Sequence, residues 1–399
     1  MTKRAYLYRF YPTKEQAHNL ACTFGCCRFV YNWALKLRKT AYFEGGKNYT
    51  HNKLSQALTA IKKEEGTAWL KEVSSVPLQQ ALRHLDTAFT NFFEGWAEYP
   101  VKKKKHGVQS ATYTSNAFTW DGKVLTLAKQ QEPLDIHWSR PLPKGAKPSS
   151  VTITKDKAGR YFVSILVEED IKPLAPTSKT VGIDLGLKSF LITSDGETIA
   201  NPKYYVRDEK KLAKAQRRHA KKKKGSKNRE KARKKVATLH ARIADTRRDF
   251  QHQTSTRLIG ENQVICLETL AVKNMLKNHK LAKAISDVGW SEFVRQLEYK
   301  AGWYGRTIIK IDRWYPSSKT CSACGYVLAD LPLDVREWTC PACGVWHERD
   351  HNAAKNVLAE GLSVSACGGS VRPVQVRAWR ATHDETGSPH REVGNPVSL

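Results

Sequence analysis

Acidic residues are scarce in this chain. Its 399 residues hold 38 Asp and Glu against 67 Lys and Arg, a formal net charge of +29. That balance disfavours a basic partner and suits a polyanion, whose phosphates release counterions when neutralised. Long apolar runs are missing as well. No stretch is long enough to span a bilayer, no secretory leader opens the sequence, and no basic helix with a wide apolar face stands out. A membrane partner is therefore not expected. Disulfide logic is absent too. Of nine cysteines, Cys22, Cys26, Cys27, Cys266 and Cys367 show no pairing pattern, which predicts a reducing, cytoplasmic setting. There is no internal repeat.

The positive charge that is present comes in blocks. Lys102, Lys103, Lys104 and Lys105 form one run between ordered elements, and Lys221, Lys222, Lys223 and Lys224 form another. The second run reads as a hinge within a basic helical pair over 208–258, too polar to be core and suited to a nucleic-acid rail. Upstream, the aromatic alternation of Ala5 to Tyr11, stopped by Pro12, predicts a strand. Helices follow to Gly45-Gly46, over Asn52–Ile61, and from Ser75, read as the cap, with Pro77 in the first turn. The apolar stripe Leu78, Leu82, Leu85, Phe89, Phe92 and Phe93 is expected in the core, with Gln79, Gln80, Arg83 and His84 on the other face. Residues 110–170 read as β-rich, with a hairpin about Lys155–Gly159 and a linker at Pro173–Thr177.

Three carboxylates occupy informative slots. Asp184 lies inside the apolar strand Val181-Gly182-Ile183-Asp184-Leu185, Glu268 ends the strand Val264-Ile265-Cys266-Leu267-Glu268, and Asp350 opens a helix. A carboxylate in an apolar strand is costly without a positive partner. Divalent cations held by acids from separate elements are a common answer in phosphodiester chemistry, where two ions activate water and stabilise the leaving oxygen. The expected cofactor is Mg²⁺ or Mn²⁺, with Asp184 shared between ions. Gly182 and Gly186 are read as leaving room for substrate backbone. Singly, Asp184 could mark a turn, Glu268 an ordinary strand end, and Asp350 a helix cap.

Cys321-x-x-Cys324 and Cys340-x-x-Cys343 enclose fifteen residues, and each pair is followed by a glycine. Four thiolates at this spacing predict a closed, structural Zn²⁺ site, with His347 nearby but surplus.

Together, Gly182-Ile183-Asp184-Leu185-Gly186-Leu187-Lys188, Leu267-Glu268, the two cysteine pairs and His347 to Ala354 resemble the TnpB family. Cys27 to Trp33, Ser286 to Trp290 and Tyr315 to Cys321 extend the resemblance. These are transposon-encoded, RNA-guided DNA endonucleases related to type V CRISPR effectors. The resemblance implies an α/β plus β-barrel architecture. An RNase H-like RuvC nuclease domain would be interrupted by a zinc ribbon, and a wedge-type β-barrel would carry a helical recognition insert. The implied order is barrel 1–22, insert 23–97, barrel 98–174, nuclease 175–315, ribbon 316–346, closing helix 347–362 and a flexible tail 363–399. The implied partners are a guide RNA from the transposon end and double-stranded target DNA; the sequence does not give the oligomeric state. Asp184, Glu268 and Asp350 match the family's catalytic triad. Tyr49, Thr50, His51, Gln79, Gln80, Arg83 and the stretch with Thr112, Thr114 and Asn116 match its motif-reading region loosely. Base pairing would read the rest of the target. A guided DNA-binding regulator without cleavage and a transposase remain as alternative readings.

Overall fold

The structure is a computed structural model that describes residues 2–45 and 49–366. Its residues form two units, one up to Asp170 and one from Ile171 onward. The boundary lies just before the Pro173–Thr177 linker expected from sequence.

The first unit begins with β1 (Thr2–Phe10), α1 (Lys14–Gly45), α2 (His51–Ile61) and α3 (Ser75–Phe93). It continues through β2 (Gln109–Thr114), β3 (Phe118–Trp120), β4 (Leu125–Leu127), β5 (Ile136–His137), β6 (Pro148–Lys155) and β7 (Tyr161–Glu169). One core holds Tyr8 and Phe10 of β1, Leu20, Phe24 and Val30 of α1, Leu78, Leu82 and Leu85 of α3, and Val151, Ile153, Val163 and Ile165. The expected barrel appears as an open five-stranded sheet in the order β2-β6-β7-β1-β5, with β3 and β4 as a separate pair. Among the described residues the ladder does not close, because short β5 ends one edge and β2 the other. Three further details depart from the sequence reading. Helix α1 starts at Lys14, inside the expected first barrel segment. Ser75 is already helical; Ser74 holds the cap position and makes no side-chain cap bond. Phe93, the last residue of α3, is exposed rather than core and packs its ring against Phe89 and Phe92.

The second unit contains β8 (Thr180–Leu185), β9 (Ser189–Thr193), β10 (Thr198–Ala200), α4 (Tyr204–Ala220), α5 (Lys227–Glu261) and β11 (Val264–Glu268). Then come α6 (Val272–Met275), α7 (Ala282–Val288), α8 (Trp290–Tyr304), β12 (Thr307–Ile311), β13 (Glu337–Thr339), β14 (Trp346–Glu348) and α9 (Arg349–Ala366). The sheet order is β10-β9-β8-β11-β12. β9 is antiparallel to β8 and β10 to β9, whereas β11 is parallel to both β8 and β12.

Side-chain parity assigns the two faces of this sheet. Val181, Ile183, Leu185, Ile265 and Leu267 pack with Leu258 and Ile259 of α5 and with Trp290, Phe293 and Leu297 of α8. Cys266, Ile309 and Ile311 pack instead with Val357 of α9. Helix α9 runs to Ala366, so residues 363–366 are helical rather than tail. The rest of the expected tail, from Cys367, lies outside the described residues.

Candidate active site and zinc-type centre

Asp184 stands one residue from Ile183 on β8, and Glu268 one residue from Leu267 on β11. Parity therefore turns both carboxylates away from the α5/α8 core and onto the face covered by α9. The two strands are parallel neighbours, with Leu267 opposite Ile183, which sets Glu268 level with Asp184. β14 leads directly into α9, so Asp350 falls in that helix's first turn, where the positive end of the helix dipole favours a carboxylate.

Helix α9 lies against the sheet because two glycines let it. A Cβ on Gly182 would sit 2.2 Å from the Ala354 carbonyl oxygen and 2.6 Å from the Leu358 nitrogen. A Cβ on Gly361 would sit 2.4 Å from Cys266 Sγ. The space beside Asp184 is thus taken by helix backbone, which corrects the expectation that Gly182 leaves room for substrate. At Gly186 a Cβ would meet the Ser189 carbonyl oxygen at 2.9 Å, so that glycine serves the β8–β9 turn.

The charges of the three acids act on one another. Burial pushes the Asp184 carboxyl up to about 8, and the charges of Glu268 and Asp350 push in the same direction, with Arg349 and Arg336 opposing. Arg336 Nη1 donates to Asp350 Oδ1 at 3.3 Å. Ser317 Oγ donates to Glu268 Oε1 at 2.5 Å. A buried carboxylate repelled by two others is a set of hard oxygen donors short of positive charge, which fits a divalent cation.

The cysteines converge as expected. All four Sγ atoms lie within 4.8 Å of one another, close enough among the described residues to hold one metal ion. Cys321 and Cys343 are 3.7 Å apart, and Cys324 and Cys340 are 3.6 Å apart. A tetrahedron with Zn–S bonds of about 2.3 Å has edges of about 3.8 Å, near these two separations, so the residues present suit a Zn²⁺-type ion. The two knuckles share one backbone pattern. Gly325 N–H reaches the Cys321 carbonyl and Gly344 N–H that of Cys340, each glycine at positive φ (79° and 74°). His347 Nε2 lies 3.0 Å from Cys321 Sγ, a hydrogen-bond distance from outside the quartet.

The nucleic-acid candidates are scattered over several elements. Thr50 and His51 start α2, Gln79 and Gln80 lie in the first half of α3, and α2 packs on α3 through a bond from Ser55 Oγ to Gln79 Oε1. Tyr49 packs on the core, while Arg83 is exposed. Thr112 turns inward on β2 and shares a hydroxyl bond with Thr152, so it is not presented to a ligand. Thr114 donates to Asn116. In the first lysine run, Asn32 of α1 holds both the N–H and the carbonyl of Lys103, and Gln109 donates to the carbonyls of Lys104, Lys105 and Gly107. Lys103 lies over the Tyr31 ring, while Lys102 lines an open groove with Arg28, Phe29, Trp33, Lys36 and Trp69. Lys221 to Lys224 are exposed at the α4–α5 hinge, where Arg229 caps the Lys222 carbonyl.

Sequence reasoning missed Arg336, Ser317, Asn352 and Asn356. Ser317 belongs to a stretch that carries the family resemblance, but nothing in its spacing shows that it meets Glu268. Asn352 and Asn356 are buried on α9 and could have been read as i, i+4 partners of a common feature.

Residues 163–279 match a family described as "Probable transposase", residues 290–357 a "Cas12f1-like, TNB domain", and residues 1–47 a "Helix-turn-helix domain". In this chain the last range is a strand followed by one long helix. A Streptomyces pristinaespiralis protein described as "Putative RNA-guided DNA endonuclease" is 57% identical over 372 residues, covering 93% of this chain and 92% of that one. InsQ of Escherichia coli K12, of the same description, is 30% identical, covering 92% and 95%. Among solved structures, a Cas12f1–sgRNA–target DNA complex matches with a TM-score of 0.55 at 14% identity, covering 86% of this chain and 83% of that one, a likeness of fold. No helix among the described residues is long and apolar enough to cross a membrane. On the strength of these relatives, the chain belongs to the TnpB family of IS605-type elements.

Proposed function

We propose that this protein is an RNA-guided, metal-dependent DNA endonuclease whose cutting centre is Asp184, Glu268 and Asp350. What supports the reading is that Asp184 and Glu268 stand on neighbouring parallel strands beneath α9, whose first turn carries Asp350, and that both other acids act on the Asp184 carboxyl. There burial, with the charges of Glu268 and Asp350, pushes the Asp184 carboxyl up to about 8. We read that sheet, with α9, as the RNase H-like nuclease domain and the cysteine unit as its zinc ribbon. The first unit serves as the wedge and recognition part. The names of the relatives support guidance by RNA and action on DNA.

Bound divalent metal would supply charge to stabilise the phosphorane-like transition state and a water acidic enough to attack phosphorus. The chain's own residues do the rest. Asp184 would hold the cation through its two carboxylate oxygens, carried on strand β8. Glu268 is oriented by the Ser317 hydroxyl. Asp350 is fixed at the start of α9 and paired with Arg336, whose guanidinium is half exposed and able to turn toward a phosphate. Zinc at Cys321, Cys324, Cys340 and Cys343 contributes on the order of 10 kcal/mol to local folding. The exposed lysines at 221–224 meet no carboxylate among the described residues and suit a phosphate backbone.

Sequencing the RNA that copurifies from the native locus tests guidance. One dominant species, with a constant scaffold and variable 3′ end, is expected. A random mixture would sink the proposal and favour the transposase reading.

A further inference from the structure

We propose that Ser317 is a positioning residue for Glu268, and that Asn352 and Asn356 tie its turn to α9, so that the zinc-binding knuckle sets the geometry of the carboxylate trio. The inference rests on the reading of Glu268 as a metal ligand.

The chain between β12 and the first cysteine is the part that connects them. Pro316 to Thr320 form one tight turn: the Lys319 and Thr320 N–H groups and the Thr320 hydroxyl all bond to the Pro316 carbonyl. From this turn the Ser317 side chain reaches Glu268. Its backbone faces α9. Asn356 Nδ2 donates to the carbonyls of Ser317 at 2.8 Å and Thr320 at 2.5 Å. Asn352 Nδ2 donates to the same Thr320 carbonyl at 2.7 Å, and its Oδ1 accepts from the Ser322 N–H, inside the knuckle, at 2.9 Å. The next residue after Thr320 is Cys321, whose own N–H closes on the Tyr326 carbonyl.

Ser317, Asn352 and Asn356 are all buried, at 6%, 2% and 4% exposure. Polar groups this deep are costly unless paired, and here both amides are spent on a single turn. No core-packing need explains two asparagines at i, i+4 where leucine would bury more apolar area. The arrangement makes sense as a clamp. Helix α9 carries Asp350 at its start and, through Asn352 and Asn356 one turn apart, grips the loop that holds Glu268. The knuckle is the third fixed point of that loop. With zinc absent, Cys321 and Ser322 lose their anchor, the turn relaxes, and the Ser317 hydroxyl leaves Glu268.

The test uses the full chain, with Mn²⁺ as probe and electron paramagnetic resonance as readout, without nucleic acid. Partners that orient metal-ligating carboxylates are worth about 10–100-fold in metal affinity. Ser317→Ala is expected to weaken Mn²⁺ binding about tenfold or more at unchanged zinc content, and to raise by a similar factor the Mg²⁺ concentration for half-maximal cleavage. Ser317→Thr, which keeps the hydroxyl, is expected to restore both. Asn356→Asp, which removes the donors, is expected to behave like Ser317→Ala. Should alanine unseat the turn, seen as lost zinc, Ser317→Cys decides in the same assay, since it keeps the volume and offers only a weak donor. Wild-type Mn²⁺ affinity in a zinc-loaded Ser317→Ala or Ser317→Cys protein would overturn the proposal. Failure of the underlying reading looks different: Glu268→Gln would then leave Mn²⁺ binding and cleavage intact.

Discussion

Asp184→Asn is expected to stabilise the protein when no divalent ion fills the carboxylate site. The unfolded chain ionises Asp184 near its ordinary value of 3.8, whereas the folded chain holds the proton up to about 8. Between those values the folded state binds the extra proton, so stability falls as pH rises. The contribution is full below 3.8, declines through the neutral range, and is exhausted above about 8. At about 1.4 kcal/mol per pH unit, the loss by pH 7 is about 4 kcal/mol. Asparagine keeps the shape, carries no charge, and can donate to Glu268 or Asp350. In zinc-loaded protein without Mg²⁺, it is therefore expected to raise the melting temperature of the second unit by on the order of 10 °C at pH 7, and not at all near pH 4. Thermal unfolding followed by circular dichroism across pH measures this directly. Mg²⁺ is expected to stabilise the wild type and leave the variant unmoved. A variant that melts at or below the wild-type temperature at pH 7, with Mg²⁺ acting equally on both, would refute the burial and repulsion argument.

Four further outcomes follow from the same geometry. Glu268→Gln and Asp350→Asn are each expected to reduce single-turnover cleavage by at least about a thousandfold while gel-shift affinity for RNA and DNA stays within a few-fold, because stabilising the charge that develops at the reacting phosphate supplies most of the rate enhancement. Gly182→Ala puts a methyl group 2.2 Å from the Ala354 carbonyl; denaturant titration is expected to show a loss of about 1–3 kcal/mol or more. Cys340→Ser is expected to release zinc in a colorimetric assay and to lower cleavage in step with the zinc lost. Replacing Lys221 to Lys224 by glutamine is expected to flatten the dependence of log affinity on log salt by about 0.9 for each duplex phosphate contact removed, measured by fluorescence anisotropy.

The sequence was most legible where chemistry and periodicity coincide. Asp184 in an apolar strand, Glu268 at a strand end and the paired cysteines announce themselves because each breaks a local rule or fulfils a metal spacing. Parity then explains why both strand acids share a face. The hidden part is what depends on contacts distant in sequence. Gly182 looked like space for substrate, yet it accommodates a helix from the far end of the second unit. Ser317 meets Glu268 only because β12 pairs with β11 and the turn after β12 falls beside the end of that strand. Thr112, a candidate only from the family's motif-reading region, is buried in the structure, and its hydroxyl pairs with Thr152. The barrel was an inference from family likeness; the hydrogen-bond ladder of the described residues is open.

The central claim is guided cutting by the carboxylate trio. Its most direct test incubates the protein with its element-end RNA, carrying a chosen guide, and with duplex DNA containing the matching target, in Mg²⁺. Cleavage that follows the guide and disappears in Asp184→Ala is the predicted result. A complex that binds the matched target yet leaves it whole, or an Asp184→Ala protein that still cuts, would contradict the account.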